Sequence, residues 1–220
     1  NDIQLVDFNF RYSSSDTILE KFNFKIKKNE IIGICGESGS GKSTIINLLT
    51  NLIKPTDGKI FIDQKLLETP EDLRRYQNLF SITSQDTYLL DASIKENIIF
   101  GTNKEIDNEK LNKAISFANL NRMLNELPKG LESQVGSTLK QLSSGQKQRI
   151  AIARSFYCNR EILIFDEATN ALDEDNEKKI FKNLNELKST KTIIIISHND
   201  ENLKICDNIY EINNKTLRKL

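Results

Sequence analysis

Ile31-Ile32-Gly33-Ile34-Cys35-Gly36-Glu37-Ser38-Gly39-Ser40-Gly41-Lys42-Ser43-Thr44 decides the fold of this 220-residue chain. The apolar run Ile31–Cys35 reads as a central strand, buried on both faces in a parallel sheet. Gly36 to Thr44 has the spacing G-x-x-x-x-G-K-[ST], and the apolar stretch Ile45–Ile53 behind it reads as a helix. Strand, glycine-rich loop and helix in that order cradle phosphates. The glycines let successive backbone N–H groups turn inward, Lys42 reaches the β and γ oxygens, and Ser43 can ligate Mg2+. The motif predicts nucleoside triphosphate binding and is silent on what the binding is for.

Two more apolar runs, Ile162–Phe165 and Ile193–Ile196, read as central strands ending in polar residues. In open α/β sheets ligands collect at the carboxyl ends of strands. After the first run comes Asp166-Glu167. An acidic pair ending a strand is, by itself, more often a solvated turn. Beside a phosphate loop, the aspartate can hold the Mg2+ shell and the glutamate can orient a water. After the second run comes His198, the one histidine of the chain. It stands at the edge where the other strands place their chemistry, which favours a γ-phosphate contact over a merely exposed side chain. Gln85 follows another short strand, Phe80–Thr83.

Short apolar strands alternating with amphipathic helices imply an α/β core with a mostly parallel sheet. The stretch Ile3–Lys27 alternates more and carries turn residues at Ser13–Asp16, which predicts antiparallel strands. From about Asp72 to Gln141 the pattern turns helical, with Leu111, Ala114, Ile115 and Ala118 on one face, and predicts a helical lobe inserted in the core. After Asp173 an acidic first turn leads into the stripe Ile180, Phe181, Leu184 and Leu187, read as core packing.

Leu142-Ser143-Ser144-Gly145-Gln146, followed by Lys147 to Arg154, opens a second helix with small residues. Free backbone N–H groups and the positive end of the dipole suit an anion there too. The chain thus has two anion-seeking helix starts far apart in sequence.

Composition excludes some classes. Lys and Arg number 31, as do Asp and Glu, so no global field favours nucleic acid or an anionic membrane surface. Cys35, Cys158 and Cys206 are odd in number and widely spaced, as expected of reduced packing thiols rather than a disulfide framework or metal site. No apolar run approaches a membrane span. The chain starts at Asn1 and its one methionine is Met123, the expectation being a piece of a longer polypeptide.

Together these segments resemble the nucleotide-binding domain of an ABC transporter, over Ile3 to about Ile212. Gly36–Thr44 is similar to the Walker A motif, Ile162–Asp166 to the Walker B strand and Glu167 to its catalytic glutamate. Leu142–Gln146 resembles the signature Leu-Ser-Gly-Gly-Gln. Gln85 falls at the Q-loop, Asn170-Ala171-Leu172-Asp173 at the D-loop and His198 at the switch histidine. Tyr12 lies where the family stacks an aromatic on adenine, core or surface packing being the alternative. Asp166-Glu167-Ala168-Thr169 and the stretch Ser84 to Gly101 are exporter-like, similar to peptide and bacteriocin exporters. Within that stretch, Tyr88-Leu89-Leu90 either receives a coupling helix or is buried inside the lobe.

The resemblance implies a P-loop NTPase ABC-ATPase fold: a mostly parallel sheet, an antiparallel β subdomain and an inserted helical subdomain at about 72–141, all within one domain, 1–220. It implies ATP and Mg2+ as cofactors, with Gly36, Ser38, Gly39, Ser40, Gly41, Lys42, Ser43, Thr44, Gln85 and Tyr12 on the nucleotide. Ser43, Gln85 and Asp166 would serve Mg2+, and Glu167, His198, Lys42 and Gln85 catalysis. Ser143, Gly145 and Gln146 would act in trans, on ATP held by a second, head-to-tail domain. The other implied partners are transmembrane domains, which would place the domain on the cytoplasmic face of a membrane as the motor of an exporter, with peptide the favoured cargo. Soluble relatives acting on nucleic acid or ribosomes, and a regulatory module without turnover, are the alternatives. Two departures stand out: Ser144 for the first signature glycine, and Ser137 and Leu139 where exporters usually have glutamate and glycine.

Overall fold

The computed structural model describes residues 2–12, 17–102, 105–135 and 142–220. The turn expected at Ser13–Asp16, the departures at Ser137 and Leu139 and the Gln141 limit of the lobe lie outside them. In chain order the elements begin β1 (Ile3–Arg11), β2 (Thr17–Ile26), β3 (Ile31–Gly36), α1 (Lys42–Leu49), β4 (Asp57–Ile62), β5 (Lys65–Leu66) and α2 (Pro70–Gln77). They continue with β6 (Phe80–Thr83), β7 (Ala92–Ser93), α3 (Ile94–Ile99), α4 (Asn108–Phe117), α5 (Asn121–Asn125), β8 (Gln134–Val135) and α6 (Ser144–Cys158). The last are β9 (Ile162–Asp166), α7 (Glu174–Glu186), β10 (Thr192–Ile196), α8 (Asp200–Leu203), β11 (Asn208–Asn213) and β12 (Thr216–Lys219). They divide into two compact units, Asn1–Phe80 with Lys188–Leu220, and Ser81–Leu187.

The first unit holds an antiparallel sheet in the order β2-β1-β4-β5, which meets the expectation for the N-terminal stretch. Its register explains its stability: Ile3 faces Ile26, Leu5 faces Phe24, Phe8 faces Phe22 and Phe10 faces Leu19. Large apolar side chains opposite one another stabilise such a pair, and Phe8 and Phe22 meet edge to face at 5.5 Å. The unit also contains the strand series β12-β11-β3-β10. Here β3 is parallel to both β10 and β11, while β12 returns antiparallel. Ile31, Ile32, Ile34 and Ile193 to Ile196 are all buried, as the two-sided apolar runs predict.

Helix α1 is shorter than the run Ile45–Ile53 implies, for it ends at Leu49. The Thr50 hydroxyl bonds back to the Ile46 carbonyl at 2.7 Å and Asn51 turns left-handed at φ 53°, which stops the helix.

At the start of β3, the Asp207 carboxylate accepts the Ile31 N–H at 2.9 Å and pairs with Lys188 at 2.6 Å. Burial pushes this carboxyl up, but the Ile31 N–H and Lys188 outweigh it and hold it below its ordinary value. A depressed carboxyl contributes stability at pH above the unfolded value, about 3.9, and loses it as pH falls through the folded one. Asp207→Ala is therefore expected to cost about 1–2 kcal/mol at pH 7. In urea titrations the gap from the unmodified chain should narrow at pH 3; a gap as wide there as at pH 7 would refute the linkage.

The second unit packs helices around α6. Leu111, Ala114 and Ile115 of α4 are buried, as is Ala118 just after it, and Phe117 stacks on Phe156 of α6 with centroids 4.2 Å apart. Ile180 and Leu184 of α7 are buried too, with Phe181 and Leu187 half-buried. In the same unit β6 runs beside β9. Among the described residues, no helix is long and apolar enough to cross a membrane. The three cysteines are free thiols, and burial pushes the Cys206 thiol up to about 12, as suits an inert packing group.

Candidate functional site

In the first unit the phosphate-type loop leaves the carboxyl end of β3. Gly36 has φ 149° and Gly41, capping α1, has φ 103°, a region that favours glycine. A side-chain carbon on Gly36 would also lie 2.9 Å from the Ile212 carbonyl oxygen. The loop is thus glycine-rich because its path demands it. Lys42 is 8% exposed, and its ammonium donates to the Gly36 and Glu37 carbonyls at 3.0 and 2.9 Å. These are neutral acceptors that phosphate oxygens, being charged, can outcompete. Beside the loop opens a cleft of about 620 Å3, lined by Thr17, Ile18 and residues 37–40 and 211–215. The Ser40 hydroxyl is buried and has no hydrogen-bond partner among the described residues, as expected of a loop built around a polar ligand.

Tyr12 and His198 lie in this same unit. Tyr12 is 47% exposed, its ring set edge-on to Phe10 and its hydroxyl 3.5 Å from Thr44 Oγ1. Core burial is excluded, and the ring is placed next to the loop. The parallel register pairs Ile196 with Ile34. His198, two residues past the end of β10, and Gly36, the last residue of β3, therefore lie at one edge. His198 is exposed, while Ser197 before it is buried and its N–H donates to Ile34 O at 3.2 Å.

In the second unit Gln85 is exposed just beyond β6, and Asp166 is half-buried at the end of β9. Glu167 follows in a left-handed conformation, φ 50°, a strain of about 1–3 kcal/mol for a side chain other than glycine. Its carboxylate Oε2 accepts Asn170 Nδ2 at 2.9 Å. By residue type, the amide oxygen of Gln85 and the carboxylate of Asp166 in this unit, like the Ser43 hydroxyl in the first, are hard oxygen donors of the kind Mg2+ takes.

Ser143 caps α6 through a capping box: its hydroxyl accepts Gln146 N–H at 3.2 Å, and Gln146 Oε1 accepts Ser143 N–H at 3.0 Å. The hydroxyl keeps its proton to donate to a ligand. Ser144 and Gly145 occupy the first two helical positions, where N–H groups have no partner within the helix. Ser144 is accommodated without disturbing the cap.

One comparison within the chain separates two helix starts from the rest. Among described helices of eight residues or more, α2, α4 and α7 carry Asp or Glu in the first turn. Helices α1 and α6 carry none. An acidic first turn offsets the helix dipole, so these two starts are left positive for an anion from outside.

Sequence reasoning missed three supporting side chains in the second unit. Asn97 is fully buried; it accepts Leu90 N–H at 2.9 Å and donates to the Leu90 and Ser93 carbonyls. Arg154 donates to Asn97 O at 2.7 Å and to Tyr88 O at 3.2 Å. Tyr88 itself is 76% exposed, so the trio Tyr88–Leu90 is not buried as a whole. Gln148 is buried on α6 and accepts Ala171 N–H at 3.1 Å.

Comparison with known proteins places this architecture. A family model described as "ABC transporter" matches residues 19–170. The chain is 37% identical over 214 residues to an ATP-dependent lipid A-core flippase of Idiomarina loihiensis, covering 97% of this chain and 37% of that protein. It is 40% identical over 211 residues to the leukotoxin translocation ATP-binding protein LktB of Mannheimia glucosida, covering 94% and 29%. Among solved structures, a bacterial Atm1-family ABC exporter with ATP bound superposes with a TM-score of 0.90 at 32% identity, over 99% of this chain and 38% of that one. The chain spans well under half the length of each of these relatives.

Proposed function

Because this chain belongs to the ABC transporter family, as an ATPase domain of exporter type with the family's P-loop α/β fold, we propose that it is an exporter's motor. In this account residues 1–220 form one nucleotide-binding domain that binds and hydrolyses ATP on the cytoplasmic face of a membrane and drives a polypeptide across it. The observation that carries the proposal is the pair of acid-free helix starts, α1 and α6. One start serves the chain's own nucleotide and the other a partner's. The reading of polypeptide cargo is supported by the likeness to a leukotoxin translocation protein at 40% identity, and lipid is the second reading, supported by the flippase at 37%.

Lys42 exchanges its two loop carbonyls for β and γ oxygens, while Gly36, Ser38, Gly39, Ser40, Gly41 and Thr44 wrap the phosphates and the half-exposed Tyr12 ring stacks on the adenine. The Ser143 hydroxyl, the Gly145 N–H and Gln146 complete the γ-phosphate site of a second, head-to-tail copy or related domain. Glu167 takes the proton of the attacking water, and His198 orients that water and the γ-phosphate. Ser43, Gln85 and Asp166 would hold a Mg2+ ion, which would supply charge neutralisation of the triphosphate. Since ATP forms part of the interface, its binding favours the closed pair and its hydrolysis releases it. The exposed Tyr88, its backbone held by Arg154, is the contact proposed for a transmembrane domain.

Phosphate release by the purified domain tests the shared site. Hydrolysis per molecule is expected to rise with protein concentration, because only paired chains turn over. A specific activity that stays flat from dilute to concentrated protein would remove the shared site from the account.

A further inference from the structure

Gln148 is a polar side chain 2% exposed, and such a group is stable inside a protein only when bonded. Its Oε1 accepts the Ala171 N–H at 3.1 Å. The carbonyl oxygen of the same residue lies only 2.7 Å from where a side-chain carbon on Gly145 would stand. Helix α6 therefore meets Ala171 at both its N–H and its C=O. One residue back, Asn170 donates its side-chain Nδ2 to Glu167 Oε2 at 2.9 Å and its N–H to the Glu167 carbonyl at 3.3 Å. A continuous run of bonds and close contacts thus links the first turns of α6 to the Glu167 carboxylate, all within one compact unit.

We infer that Gln148 is a positioning residue: by holding Ala171 to α6 it sets, through Asn170, the orientation of the Glu167 carboxylate. The helix start that reaches a partner's phosphate then also sets the base that acts on this chain's own nucleotide. The inference rests on the roles proposed above for Glu167 and for Leu142–Gln146. Gln148 touches neither nucleotide nor water in this scheme and acts only through its neighbours.

Two variants separate positioning from packing. Gln148→Met keeps the length of the side chain and removes the oxygen acceptor; Gln148→Glu keeps an acceptor facing Ala171. In Gln148→Met the Ala171 amide is expected to exchange its hydrogen about tenfold faster or more, and kcat to fall about tenfold. KM for ATP and nucleotide affinity should stay within about twofold, since the phosphate loop is untouched. Gln148→Glu should restore both the protection and most of kcat. Unchanged Ala171 exchange in Gln148→Met overturns the inference, as does faster exchange with unchanged kcat, or equal loss in both variants. If Gln148→Met does not fold, Asn170→Ala carries the test: lower kcat with Ala171 still protected is expected, and unchanged kcat refutes the link to Glu167. Failure of the proposed function looks different. The unmodified domain would then hydrolyse no ATP at any concentration, while Ala171 exchange would still report on the contact itself.

Discussion

Glu167→Gln is expected to lower steady-state ATP hydrolysis by about 10²–10⁴-fold, the usual cost of losing a general base, while ATP binding remains. The substitution is nearly isosteric. Its amide oxygen can still accept from Asn170 Nδ2, which holds the carboxylate at 2.9 Å in the unmodified chain, so the turn at φ 50° should survive. What disappears is the proton acceptor. Without it, ATP persists in the interface and the pair should stay closed, visible as an ATP-dependent dimer on gel filtration. Hydrolysis near the unmodified rate would remove Glu167 from the role of base.

Gly145→Ala should be nearly as damaging, by a different route. A methyl group there meets the Ala171 carbonyl oxygen at 2.7 Å, a backbone atom with no flexible end to yield. Either α6 or the Asn170–Asp173 turn must shift, at about 1–3 kcal/mol of stability. A displacement near 1 Å at a reacting centre costs about 10²-fold in rate, so turnover should fall by that order. ATP affinity of the isolated domain should hold, because Lys42 and α1 lie elsewhere in the chain. Loss of nucleotide binding together with turnover would show that the substitution unfolds the domain rather than spoiling the shared site.

The parts of this account that were legible in the sequence are those whose physics is local. Gly36 to Thr44 announces its loop because glycines at fixed offsets are required by the backbone path. The helix start at Leu142–Gln146 reads directly from its small residues, and the structure adds a capping box between Ser143 and Gln146, three positions apart. Two-sided apolar runs at Ile31 and Ile193 marked buried strands. The end of α1 was less legible, because the apolar residues Leu52 and Ile53 continue past the point where Thr50 and Asn51 stop the helix. Least legible were Asn97, Gln148 and Arg154. Their partners lie up to 66 residues away in the chain, and a polar residue in a helix looks solvated until its burial is known. The absence of acids from the first turns of α1 and α6 was present in the sequence throughout. It gained meaning only against the acidic starts of α2, α4 and α7.

The central claim is that each ATP is processed by two chains, and complementation between two damaged copies tests it most directly. Lys42→Ala removes the phosphate loop's cation and leaves Ser143 to Gln146 intact; Ser143→Leu does the converse, removing the hydroxyl and filling the space at an exposed helix start while Lys42, Gly145, Gln148 and Ala171 stay as they are. Each variant alone should hydrolyse ATP poorly at any concentration. Mixed in equal amounts, they should regain turnover, because one site of the mixed pair joins an intact phosphate loop to an intact Ser143–Gln146 start. A mixture no more active than its two components would contradict the account.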